Sequence, residues 1–128
     1  GAKRALPLPV AGAYHSRLMA SAQPKLAAAL AETTVRGPAV PVISNVTAKA
    51  HGTASEIRSL LVEQVTSPVR WEESILHLLA QGFTRFIELG PGTALSGFLK
   101  RIDGQRQRLN VADTASLEAT VTALGVEG

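Results

Sequence analysis

Cysteine is absent from the 128-residue chain, which excludes disulfide bonds and cysteine-based metal sites and is typical of a reducing compartment. Aromatic residues make up only 4% of the sequence and the basic residues are scattered, so there is no stacking platform or basic helix for nucleic acid. No apolar run approaches the roughly 20 residues of a membrane span. Pro7, Pro9 and Gly12 interrupt the start of the chain, which makes it a poor signal peptide. We therefore expect a cytoplasmic protein without nucleic-acid or membrane partners.

The composition is that of a folded domain. Hydrophobic residues make up 45% of the sequence and charged residues 18%, which is typical of a globular core and not of a disordered tail. The mean hydropathy is high for so short a chain, and small domains bury a smaller fraction of their surface, so we expect a packing partner outside it. The net charge of +3 fits an ordinary solvated surface, and it also suits an acidic protein partner or an anionic thioester.

The order of the local patterns predicts an α/β fold with a mostly parallel sheet. Strand patterns alternate with helical patterns, and such alternation is typical of a layered α/β architecture. The strands are expected at residues 6–10, 40–46, 85–89 and 109–112, and the helices at 18–30, from the Thr53–Glu56 capping box onward, at 67–82, 93–102 and 116–124. So few strands make a thin sheet, and we expect it to continue in a segment upstream of Gly1.

His15 is the first candidate for chemistry. It lies between the first predicted strand and the first predicted helix, where loops hold reactive groups on a rigid scaffold. The positive end of the helix would disfavour the imidazolium and keep the ring a neutral base. The alternative is a histidine that closes a turn or sits half buried. Ser16 is adjacent and cannot face His15 along a helix, so we expect it to cap the helix and not to act as a nucleophile.

Gly90, Pro91 and Gly92 form a second candidate, because they follow a predicted strand and precede a predicted helix. Glycine-rich loops in that context hold phosphates or the methionine moiety of a methyl donor. A methyltransferase would need a further glycine near Ala94 and more sheet after the loop. A structural turn is therefore the favoured interpretation, with methyl-donor binding as the alternative.

Four segments carry a resemblance to a known family. They are LPVAGAYHSRLM, PVISNVTAKA, LVEQVTSPVRW and FIELGPGTALSGFLKRI, in that order. Together they resemble the malonyl-CoA:acyl-carrier-protein transacylases and the acyltransferase domains of polyketide synthases. The resemblance implies the C-terminal part of an α/β-hydrolase-like acyltransferase core with a mostly parallel sheet. Residues 1–12 would be a strand leaving a small ferredoxin-like subdomain, and residues 13–128 would belong to the large subdomain.

The resemblance also implies a function in fatty-acid or lipid metabolism. Such enzymes pass a malonyl group from malonyl-CoA to an active-site serine and then to the phosphopantetheine thiol of acyl carrier protein, without a resident cofactor or metal. His15 matches the catalytic histidine, and Gln64 matches the residue whose main-chain carbonyl orients that histidine. Tyr14 and Asn45 match positions of the substrate pocket. A bulky residue before the histidine accompanies malonyl selectivity in the relatives; the alternative for Tyr14 is a core filler.

Several residues that the family uses for catalysis are missing from this chain. There is no GHSxG segment to hold a nucleophilic serine, and Ser96 falls inside a predicted helix. The arginine that would pair with the malonyl carboxylate and the glutamine of the oxyanion hole are also missing. We therefore expect this chain to supply the histidine half of the site and to be inactive without an upstream half of the same enzyme. The alternatives are a polyketide synthase acyltransferase domain, and a non-catalytic module that docks acyl carrier protein through basic residues.

Overall fold

The computed structural model describes Ala5, Pro7 and residues 10–125. The chain divides into two compact units, Gly1–Trp71 and Glu72–Gly128. No helix in the described part of the chain is long and apolar enough to cross a membrane.

Helices dominate the first unit. A 3-10 helix at Arg17–Ala22 runs directly into α1, Gln23–Ala31, and α2 follows at Ala54–Gln64. Pro24 lies in the first turn of α1, where the N–H that proline lacks would have had no partner within the helix. The prediction of one helical stretch at residues 18–30 is therefore met by two consecutive helices, with the proline at the start of the second.

Specific hydrogen bonds begin α2 and join it to the end of α1. The Thr53 hydroxyl accepts the backbone N–H of Glu56 at 3.2 Å, so Thr53 is the N-cap that the sequence predicted. Arg58, on α2, donates from Nε to the Leu30 carbonyl at 3.1 Å and from Nη2 to the Thr33 carbonyl at 3.0 Å. Since the last carbonyls of a helix lack partners within it, this arginine satisfies the end of α1 and ties the two helices together.

The strand predicted at residues 40–46 was wrong. Among the residues that the structure describes, Ile43 pairs only in an isolated antiparallel bridge with Ala50. Between them the chain turns tightly, because the backbone N–H of Ala48 donates to the Ser44 carbonyl at 2.9 Å. These residues use their backbone groups within the turn, and the proline in the segment has no N–H, so the β-rich composition does not become a strand. The other strand predicted early in the chain, at residues 6–10, lies mostly outside the described residues.

The second unit contains a parallel β–α–β arrangement. Its first helix, α3 (Trp71–Ala80), begins at the last residue of the first unit. The elements that follow are β1 (Arg85–Leu89), α4 (Ala94–Ile102), β2 (Gln107–Val111) and α5 (Thr114–Leu124). The two strands pair in parallel with Ile87 opposite Leu109. Parallel neighbours need a crossover connection, which α4 supplies. The prediction of an α/β structure with a parallel sheet is confirmed in this coarse form.

Two helix starts in the second unit differ from the predicted ones. The helix expected from residue 67 begins at Trp71. The helix expected from Ser116 begins at Thr114, because the Asp113 side chain accepts the Ser116 N–H and the Ser116 hydroxyl accepts the Asp113 N–H. This reciprocal pair is a capping box built with serine in place of the usual glutamate, so the sequence pattern was not recognised.

The core of each unit is small. The buried apolar side chains among the described residues are Ala48 and Leu60 in the first unit and Ile75 and Leu99 in the second. By contrast, Leu18 is 73% exposed and Leu89 is 77% exposed. These two side chains lie in different units, and each leaves apolar surface available for contact with another protein segment.

Candidate active site

The loop that carries His15 is held in an uncommon backbone conformation. His15 has a φ of 58°, in the left-handed region that histidine enters more readily than most residues. The Ser16 hydroxyl donates to the Ala13 carbonyl at 2.7 Å and accepts the Leu18 N–H at 3.3 Å. Ser16 is thus the N-cap of the 3-10 helix, as predicted, and its two bonds fix the loop on either side of His15.

His15 contacts the end of α2. Its Nδ1 lies 3.1 Å from the backbone carbonyl oxygen of Gln64, a residue 49 positions further along the chain. Gln64 is the last residue of α2, so its carbonyl has no partner within the helix and carries part of the negative end of the helix dipole. When Nδ1 bears the proton and donates to this oxygen, the lone pair lies on Nε2, which can then accept a proton from a nucleophile.

The side chain of Gln64 also reaches the histidine, which sequence reasoning missed. Its amide Nε2 lies 3.1 Å from His15 Nδ1 and donates to the Ser67 carbonyl at 3.1 Å. The backbone carbonyl favours a proton on Nδ1, whereas an amide N–H favours a lone pair there. The two groups of one residue therefore favour opposite tautomers of His15, and only the tautomer favoured by the carbonyl leaves Nε2 free to act as a base.

Gln23 forms hydrogen bonds on either side of Gln64, at the C-terminal end of α2. Its amide donates to the Val62 carbonyl at 3.1 Å and to the Thr66 hydroxyl at 3.3 Å. Both acceptors belong to the last turn of α2 or to the turn that follows it. Sequence reasoning missed this residue too, because a polar residue at a helix start gives no signal of a partner 39 positions away.

Tyr14 and Asn45, the two predicted pocket residues, lie in different places relative to His15. Tyr14 is the preceding residue and its side chain is 61% exposed. Asn45 lies in the tight turn after residue 44, and its backbone carbonyl accepts the Arg70 N–H at 3.0 Å. Within the described part of the chain no hydrogen bond joins Asn45 to His15. The pocket roles of both residues stay predictions.

The loop at Gly90 and Gly92 has the geometry of a structural turn. Both glycines have a positive φ, of 125° and 90° respectively, which disfavours any side chain there. The N-terminus of α4, which follows the loop, is occupied by the Glu88 carboxylate. That carboxylate accepts the N–H of Ser96 at 2.8 Å and the N–H of Leu95 at 3.0 Å. Since an anion already fills this helix end, the structure favours the turn over a phosphate or methyl-donor site.

Ser96 belongs to the same network and not to a nucleophile arrangement. It lies inside α4, as predicted, and its hydroxyl is 3.0 Å from Asn110 Nδ2. Asn110 also donates to the Glu88 carboxylate at 3.0 Å. The backbone N–H of Ser96 is the main cause that lowers the pKa of Glu88 below its ordinary value of 4.5, and the Ser96 hydroxyl, Leu95 and Asn110 add to it. These contacts join β1, α4 and β2.

Among the described residues, no group of three or more His, Cys, Asp or Glu side chains is placed to hold a metal ion. The function expected from the sequence requires neither a metal nor a resident cofactor. That expectation stays a prediction.

Comparisons with known proteins identify the relatives. No protein-family model matches the chain. The chain is 44% identical over 127 residues to the "Malonyl CoA-acyl carrier protein transacylase" of Bacillus subtilis (strain 168), an alignment that covers 99% of this chain and 40% of that protein. The chain matches the C-terminal portion of the malonyl-CoA:acyl-carrier-protein transacylases. The resemblance predicted from the four sequence segments is confirmed.

Solved structures give the same result. The transacylase named MCAT from Streptococcus pneumoniae is 41% identical, with a TM-score of 0.90 over 96% of this chain and 40% of that chain. A malonyl-transacylase in complex with a type II PKS acyl-carrier protein also has a TM-score of 0.90 and 41% identity, over 96% of this chain and 40% of that chain. The transacylase fold is thus shown for this portion. Because the chain spans about 40% of the length of these relatives, the activity of the whole protein is a matter for proposal.

Proposed function

We propose that this chain supplies the histidine half of a malonyl-CoA:acyl-carrier-protein transacylase. The observation that carries the proposal is the 3.1 Å separation between His15 Nδ1 and the Gln64 carbonyl oxygen. A main-chain acceptor on Nδ1 does for His15 what a carboxylate does in a serine–histidine–aspartate triad: it orients the ring and stabilises the proton on that nitrogen. His15 is the catalytic residue, and Gln64 positions it.

The reaction proceeds in two halves, each with His15 Nε2 as the proton carrier. In the first, Nε2 takes the hydroxyl proton of a serine in the upstream part of the enzyme while the serine oxygen attacks the malonyl thioester carbonyl. The carbon–sulfur bond breaks, and the coenzyme A thiolate leaves with the proton that Nε2 returns. In the second half, the phosphopantetheine thiol of acyl carrier protein gives its proton to Nε2 and attacks the malonyl-serine ester, and the serine oxygen recovers the proton.

The nucleophile in this proposal lies outside the chain. Ser16 is engaged as an N-cap and Ser96 in the Glu88–Asn110 network, so neither is free to attack a thioester. The exposed Leu18 and Leu89 support a further segment of the same enzyme that packs on this chain. The α/β-hydrolase-like core, the boundary between residues 1–12 and 13–128, and the ferredoxin-like subdomain are parts of the same proposal.

The test is the substitution of His15 in the complete enzyme. We choose His15→Asn, because asparagine also tolerates a positive φ and cannot act as a base at neutral pH. His77→Asn is the matched control, since His77 lies on α3 and contacts only Gln81 among the hydrogen bonds of its side chain in the described residues. Malonyl-acyl-carrier-protein is measured by intact mass. We expect a loss of about 10²–10⁴-fold in transfer rate for His15→Asn and no loss for His77→Asn. Undiminished transfer by His15→Asn would refute the proposed role.

A polyketide pathway is the second candidate. It is favoured by the similarity to a malonyl-transacylase solved with a type II PKS acyl-carrier protein. Comparison of the complete enzyme's kcat/KM for a fatty-acid carrier protein and for a polyketide carrier protein distinguishes the two pathways.

Salt-sensitive carrier-protein binding without any malonyl transfer would instead support the non-catalytic docking module. A cytoplasmic location belongs to the proposal and is tested by fractionation of cells.

A further inference from the structure

An open groove of about 440 Å³ lies between α1 and α2. Residues of both helices line it: Ala27, Leu30, Ala31, Arg58, Ser59 and Val62. Small-molecule sites in proteins are clefts of about 300–1,000 Å³ with mostly apolar walls and a few polar groups. In volume and in lining, the groove is of the kind that holds a small molecule.

The walls of the groove are mostly apolar. Ala27 and Ala31 are one helical turn apart on the same face of α1, where their small methyl groups leave room between the helices. Leu30 and Val62 supply the larger apolar surfaces. A protein partner needs about 800 Å² of surface on each side, which a groove lined by so few residues does not provide. A single alkyl chain is therefore the occupant that these walls fit.

Arg58 supplies the positive charge of the lining. Its Nε and Nη2 donate to the carbonyls of Leu30 and Thr33, but neutral carbonyls do not cancel the charge, and a guanidinium has further N–H donors. Within the described residues Arg58 forms no ion pair with a carboxylate. The Ser59 hydroxyl already donates to the Ser55 carbonyl at 3.2 Å. The groove thus presents one cation, which matches a ligand with one carboxylate and not a ligand with several phosphates.

We propose that this groove binds a fatty acid, with the carboxylate on Arg58 and the alkyl chain against Leu30 and Val62. The site is separate from the proposed malonyl transfer and does not depend on it. Val62 also offers its backbone carbonyl to Gln23 at 3.1 Å, in the last turn of α2. A ligand that contacts both helices therefore holds α1 against the helix that ends at Gln64, and it stabilises the folded enzyme.

The experiment measures the binding of decanoate to the complete enzyme by calorimetry, below the concentration at which decanoate forms micelles. We expect saturable binding, a rise in the urea midpoint with decanoate concentration, and NMR shifts of the Leu30 and Val62 methyl groups. Decanol has the same chain without the carboxylate and should bind about tenfold more weakly, because it lacks the charged hydrogen bonds to Arg58.

Two neighbouring alanines of α1 provide a matched pair of variants. Both are exposed, but Ala27 lines the groove and Ala28 does not. Ala27→Phe fills the groove and should weaken decanoate binding about tenfold or more, since the alkyl chain loses its apolar contacts. Ala28→Phe carries the same cost in helix propensity and should bind like the wild type. Arg58→Gln should lower the affinity for decanoate to that for decanol; if it fails to fold, the alanine pair still decides.

Four results would overturn the inference: no saturable binding of decanoate, equal affinities for decanoate and decanol, equal effects of Ala27→Phe and Ala28→Phe, or displacement of decanoate by malonyl-CoA. The last would place decanoate in the acyl site and not between α1 and α2. Absence of malonyl transfer by the wild type would refute the proposed function alone, because decanoate binding is measured without any transfer.

Discussion

Replacement of the Gln64 side chain separates its amide from its backbone carbonyl, which both contact His15 Nδ1 at 3.1 Å. Gln64→Leu keeps the carbonyl and removes the amide N–H, with little change in side-chain volume. A hydrogen bond of this kind contributes about 0.5–1.5 kcal/mol net, so its loss should shift the tautomer ratio of the neutral ring by about 2- to 12-fold toward a proton on Nδ1. Because that tautomer is the base, transfer by the complete enzyme should stay the same or rise.

The assay is the ¹⁵N chemical shift of the two ring nitrogens of His15, recorded on the neutral ring in wild type and Gln64→Leu. Gln81→Leu is the matched control, since Gln81 Nε2 lies 2.9 Å from His77 Nε2 on α3. It should change the tautomer ratio of His77 and leave both His15 and malonyl transfer unaffected. An unchanged ratio at His15 would refute the contact, and a tenfold fall in kcat/KM would show that the amide is required to position the ring.

Two further predictions concern hydrogen bonds: those of Gln23 beside the candidate site, and those of Glu88 within the second unit. Gln23→Leu removes one hydrogen bond to Val62 in the last turn of α2 and one to Thr66 in the turn that follows. It should lower the free energy of unfolding by about 1–3 kcal/mol and lower kcat more than it changes KM. Urea unfolding and steady-state kinetics measure the two effects, and kinetics identical to wild type would show that Gln23 does not hold Gln64 in place. The hydrogen bonds that the Glu88 carboxylate accepts, chiefly from the Ser96 N–H, lower the pKa of Glu88. The ionised carboxylate therefore stabilises the fold above pH 4.5, and this stabilisation is lost as the pH falls through the lowered pKa. Glu88→Gln should therefore be less stable than wild type at neutral pH and approach it in acid; a constant difference in urea midpoints would contradict this.

Several local features were predictable from sequence because their causes are local. The N-cap at Thr53 requires only that its hydroxyl lie three residues before the backbone N–H that it accepts, and the sequence pattern Thr53–Glu56 predicts this. The turn at Gly90 and Gly92 needs a positive φ, which glycine supplies. The alternation of helix and strand in the second unit also follows from apolar periodicity over a few residues.

The segment at residues 40–46 shows where local reasoning fails. Its β-branched residues have a high strand propensity, but strand formation depends on a partner chain that accepts and donates hydrogen bonds along its length. Here the backbone of Ser44 bonds to Lys49 and Ala48, so the chain turns after a single bridge. Propensity described the residues correctly and could not describe the pairing.

The candidate site also combines features that a local sequence pattern predicts with features that depend on tertiary contacts. The four ordered segments of the sequence were enough to predict the similarity to the C-terminal portion of the transacylases, and they named His15, Gln64, Tyr14 and Asn45 as candidate site residues. Only the tertiary structure decided that the Gln64 amide competes with its own carbonyl for one nitrogen of His15, and that the ring of Tyr14 lies over Gly12. The physical reason is that the hydrogen bonds depend on distances of a few ångströms between residues 49 positions apart, and the ring contact depends on a side-chain rotamer, neither of which a local pattern encodes.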